Sequence, residues 1–175
     1  MKIITLILLI TFLFACSTDR SPLNTELDYV QGEVAFGLID SITLLELADY
    51  IYSLSNISIK QVSSFQYYTN LPQDSMQIIK SALESKSYVW DGMINIWYDQ
   101  TSSKIMIDVW IRDFKSEDRE DWELTKERFS FTHIPGNFQV GLLKVKNGRE
   151  KEWIKILSNS GMFRYLEVNH FTHAS

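Results

Sequence analysis

The stretch KIMIDVWIR, residues 104–112, constrains this fold more than any other part of the chain. Ile105, Ile107, Val109 and Ile111 alternate without a slip against Lys104, Met106, Asp108, Trp110 and Arg112. A strand with that period buries one row and turns the other away. Amphipathic helices elsewhere in the chain would cover the apolar row.

Four helices are expected. Over about 41–55, Thr43 and Glu46 fit a capping box, Leu44, Leu47, Ala48 and Ile51 share one face, and Asn56 suits the left-handed stop. A second opens at Leu71-Pro72-Gln73-Asp74 and buries Met76, Ile79, Ala82 and Leu83. A third, over 116–129, carries its acids first and Lys126 and Arg128 last, matching the helix dipole. The fourth covers 149–158, with Trp153, Ile154 and Leu157 inward. Strands are expected over 32–38, 57–68 with an irregularity near 62–65, 93–99, 104–112, 138–145 and 163–169, the middle two forming a hairpin across 100–103. One β-α-β unit opens the domain and another closes it. This order predicts a ferredoxin-like α+β sandwich over 31–175, with about 72–134 inserted between its halves as a sheet extension or a subdomain.

A hydrophobic content of 45% and an aromatic content of 13% exclude a disordered chain. Cys16 is the only cysteine, so no disulfide forms within the chain and the core alone must hold the fold. That cysteine follows Lys2 and an uncharged run, Ile3 to Ala15, without Gly or Pro. The run is about 13 residues, against roughly 20 for a membrane-spanning helix, and reads as a signal peptide over residues 1–15. Its end, Leu13-Phe14-Ala15-Cys16, resembles the lipobox of bacterial lipoproteins. The resemblance implies a diacylglycerol on Cys16 and attachment to a membrane of the cell envelope. Ser17, in place of the Asp that retains such proteins in inner membranes, directs the expectation to the outer membrane. The competing reading is an ordinary secretory signal with an incidental cysteine. Residues 16–30 are polar and read as a tether. The net charge of −5 becomes more negative once Lys2 is removed, which excludes a nucleic-acid partner and leaves acyl chains to hold the membrane.

At the carboxyl end, Tyr165-x-Glu167 followed by His170-x-x-His173-Ala174, behind Gly148 to Trp153, is similar to the end of the propeptide or inhibitor I9 domain of subtilisin-like proteases. The resemblance implies a ferredoxin-like fold, with Thr172, His173, Ala174 and Ser175 along a protease's substrate cleft and Ser175 at its primary pocket. Inhibition would act in trans, on a protease of another chain. The other reading is an interaction, assembly or ligand-binding module whose last strand simply completes a sheet.

No Gly-rich phosphate loop, nucleophile elbow or Cys-His pair is present, so a non-enzymatic protein without a cofactor is expected. His170 and His173 point to opposite sides of an extended segment, and no metal site is expected. His133 reads as a loop residue. Glu117, Asp118, Glu120, Asp121 and Glu123, with Arg119 among them, read as a solvated helix start. Trp97 and Trp110 fall on the polar rows of the hairpin, where they would stack on sugars or a partner peptide unless helices cover both sheet faces. Trp90, Trp122 and Trp153 are expected in or at the edge of the core.

Overall fold

The computed structural model describes residues 29–136 and 138–170. The expected signal peptide, Cys16 and the tail residues Thr172, His173, Ala174 and Ser175 lie outside the described residues.

In chain order the elements are β1 (Tyr29–Leu38), α1 (Leu44–Ser53), β2 (Ser58–Thr69), a 3-10 turn (Gln73–Ser75), α2 (Met76–Glu84), β3 (Val89–Asp99) and β4 (Lys104–Arg112). There follow α3 (Asp118–Phe129), β5 (Thr132–His133), β6 (Val140–Lys144), α4 (Glu150–Leu157) and β7 (Phe163–His170). The strands form one antiparallel sheet in the order β3-β4-β2-β6-β1-β7, with β5 pairing to β2 off that path. The protein is therefore an α+β fold. Its first and last β-α-β units interlock: β1 and β2 flank β6, while β6 and β7 flank β1. The inserted segment adds β3 and β4 outside β2 and places β5 against Tyr67 and Tyr68.

Local chemistry accounts for the element ends. Thr43 Oγ1 accepts from Glu46 N at 3.3 Å and Glu46 Oε2 accepts from Thr43 N at 2.8 Å, so two orphan donors of α1 are satisfied reciprocally. The irregularity in β2 falls between Val62 and Phe65. Ser63 there donates to Val140 O at 2.9 Å and accepts from Val140 N at 3.2 Å, replacing a ladder pair with a side chain. The bulge keeps both Val62 and Phe65 on the buried face.

Ile105, Ile107, Val109 and Ile111 are all fully buried. They join Val34, Phe36, Ile59, Tyr67 and Leu143 from the sheet, and Leu47, Ile79, Leu83, Trp122 and Leu157 from the helices, in one cluster. All four helices thus serve the same face of the sheet. Truncating one of these isoleucines to alanine removes about 2–5 kcal/mol.

Several boundaries differ from expectation. β1 begins at Tyr29, inside the stretch read as tether, because Tyr29 pairs with His170. β3 begins at Val89 and spans a register shift before Ile94, where Gly92 takes a φ of +73°. The residues after Pro72 form a 3-10 turn before α2 starts. His133 is not in a loop: it pairs with Tyr67 in β5.

Candidate functional site

The outward rows of β3, β4 and β2 make a surface that no helix covers among the described residues. Register places Asn95 opposite Asp108 and Asp108 opposite Gln66, giving a polar row across three strands. Two residues away on one side lie Trp97, Met106 and Tyr68, again in register. On the other side, Trp110 meets Trp90 edge to face, with ring centroids 6.0 Å apart. A carboxylate and two amides are therefore framed by aromatic platforms.

Exposure follows the bulge. Trp97 is 36% exposed and Met93 43% exposed, while Trp110 is half-buried against Trp90. Gly92, Met93, Ile94, Asn95, Asp108 and Trp110 line a depression of about 150 Å³. That is smaller than the roughly 300–1,000 Å³ of a drug-sized pocket, so it admits a single ring-sized group. Lys104 Nζ sits 3.7 Å above the Tyr68 ring at the far end of the surface.

Asp108 Oδ1 is out of contact with solvent and has no hydrogen-bond partner. Burial pushes the carboxyl above its ordinary range, and hydrogen bonding from the Ser64 and Gln66 side chains only partly offsets it. Ser64 reaches this position from the β2 bulge, with a φ of +57°. A desolvated acceptor in this state gains strongly from an incoming donor. The arrangement recognises hydrogen-bond donors and flat rings.

Trp97 and Trp110, singled out in the sequence, do share the open face, but only Trp110 lines the depression. Trp90 belongs to the same surface through its contact with Trp110. Trp122 is fully buried and Trp153 packs at the core edge. Sequence reasoning did not single out Asp108, Asn95, Gln66 or Met93. The available signals were one acid in an otherwise bulky outward row and a glycine interrupting the strand before it.

Asp108 is not alone in lacking a partner: Trp122 Nε1, His133 Nε2 and both amide atoms of Gln139 are also buried without a hydrogen-bond partner, though none of them lies on the open face. Other polar groups are engaged in structure. Asp121 accepts from Lys86 Nζ at 2.5 Å and from the Tyr88 hydroxyl at 2.7 Å, tying α3 to the approach of β3. Glu150, 1% exposed, accepts from Gly32 N at 2.6 Å and from Gly148 N at 3.0 Å. Burial raises its carboxyl, but these backbone donors outweigh burial and hold it below the usual range. His133 lies between Phe65 and Tyr67, and burial lowers its imidazole. Among the described residues no group of three or more His, Cys, Asp or Glu is placed to hold a metal ion, and no helix is long and apolar enough to cross a membrane. No protein-family model, curated protein or solved structure matches the chain.

Proposed function

We propose that this protein is a lipid-anchored component of the bacterial cell envelope, with Cys16 as the acylated residue, whose domain is a non-enzymatic binding module. Its ligand surface is the open face of β3, β4 and β2, around Trp97 and Trp110. The observation that carries this reading is the unpartnered Asp108 oxygen set between indole platforms. A carboxylate oxygen shielded from water without a partner of its own costs stability, and a ligand donor offsets that cost. We further propose that β1, α1, β2, β6, α4 and β7 make a ferredoxin-like sandwich extended by the inserted strands. Support comes from the way each β-α-β unit straddles a strand of the other.

The test uses a photoreactive amino acid placed in the full chain in cells. At position 97 it forms an adduct with an envelope macromolecule; at position 156, exposed on the helical side, it does not. Equal adducts at both positions contradict a specific face. For the anchor, Cys16→Ser abolishes labelling with fatty acid, and continued labelling contradicts the lipobox assignment.

A second reading, inhibition of a subtilisin-like protease in trans, is favoured by one feature: β7 is an edge strand of the sheet, so the chain beyond His170 continues from an edge. Leaving the sheet at an edge suits a segment that would pair with the strands of a protease cleft. Full-length protein should then inhibit such a protease, and protein lacking residues 171–175 should not.

A further inference from the structure

Resting on the binding-face reading above, we propose that the depression between Asn95, Asp108 and Trp110 is the subsite for one pyranose ring of a neutral oligosaccharide, whose chain continues toward Trp97.

The kind of ligand follows from what the surface offers. From Ile105 to Val109 β4 is paired on both sides, to β3 and to β2, so the backbone of that stretch is engaged in the sheet. A ligand lying on that stretch is read by side chains. Those side chains are a carboxylate that only accepts and two amides, Asn95 and Gln66, that both donate and accept. Hydroxyl groups, which also do both, match that row. A cation alone would satisfy the carboxylate and leave the amides without a role. The flanking groups supply the other half: the apolar face of a pyranose packs flat on an indole, while its ring hydroxyls project at the rim.

Size and spacing sharpen the assignment. The cavity of about 150 Å³ holds one ring. Trp110 and the Met106–Trp97 pair are four residues apart along β4, about 13 Å, so two platforms with the polar row between them favour a linear oligosaccharide over a single sugar. Met93, beside the bulge at Gly92, closes the rim of the depression. Asp108 lines the depression, so its carboxylate presents an acceptor to a ring hydroxyl seated there.

The experiment titrates the full chain, purified in a detergent without sugar headgroups, with three hexasaccharides: β-1,4-linked glucose, β-1,4-linked N-acetylglucosamine and α-1,4-linked glucose. Indole fluorescence and calorimetry report binding. At least one hexasaccharide is expected to saturate, with affinity falling about tenfold in Trp110→Ala and at least about fivefold in Asp108→Asn, and unchanged in Ile156→Ala. Conservative Trp110→Phe should recover part of the loss. Saturation that ignores Trp110 and Asp108 overturns the subsite. Failure of all three sugars, with Asp108-dependent binding of a lysine-rich peptide or of choline instead, overturns the saccharide assignment and leaves the binding face standing. Failure of every probe, together with no adduct at position 97 in cells, removes both.

Discussion

Glu150 and Asp108 are two acids drawn away from water on opposite sides of this molecule's design. Glu150 sits where the β6–α4 turn meets β1 and collects the backbone N–H groups of Gly32 and Gly148. Asp108 sits in the middle of the open face with one oxygen unpartnered. The carboxyl of the first is held low by its donors; that of the second is pushed up by burial. A carboxylate with donors on hand locks two segments together, whereas one left short of donors is a place for a donor from outside. The same chemical group is architecture in one region and recognition in the other.

That contrast breaks most visibly at Glu150. Glu150→Ala leaves the buried N–H of Gly32 without its partner and frees that of Gly148, and chemical denaturation should show a loss of about 2–4 kcal/mol. Gly32 belongs to the same device: its φ is +79°, and an added Cβ would collide with Asn147, so Gly32→Ala should destabilise the protein in the same direction by about 1–3 kcal/mol.

Acid sharpens the comparison. Because the folded-state pKa of Glu150 lies below its ordinary value of 4.5, its contribution is present above that pH and is lost as the pH falls through the folded-state value. Asp108 has the opposite sign. Its folded-state pKa is raised above 3.8, so its ionisation subtracts stability as the pH rises through that region. Urea midpoints measured between neutral pH and pH 3 should therefore fall less steeply in Glu150→Gln than in the parent protein. A smaller effect is expected at Trp97, which is only partly buried: Trp97→Ala should change stability by less than about 1 kcal/mol, readable from the denaturation midpoint.

Much of the scaffold was legible because periodicity and capping are local. The KIMIDVWIR alternation gave the buried row of β4 in full, and Thr43 with Glu46 marked the start of α1. The β2 irregularity was legible as well, near Val62 to Phe65. What escaped were contacts made across the chain. The two residues of β5 carry no period of their own; they are strand because Tyr67 and Tyr68 lie alongside. Glu150 looked like one more acid in the first turn of a helix, and its burial depends on Gly32, which is 118 positions away. The candidate site was half visible: alternation placed Trp97 and Trp110 on one face, but the polar row needed the register of three strands. Asn95, Asp108 and Gln66 come together only when β3 and β2 flank β4.

The most direct measurement compares Asp108→Asn with Glu150→Gln by urea denaturation at pH 7. If Asp108 is held in reserve for a ligand, Asp108→Asn leaves stability unchanged or raises it by up to about 1 kcal/mol, while Glu150→Gln loses at least about 1 kcal/mol. A loss at Asp108 equal to that at Glu150 would make it a structural carboxylate and contradict the account.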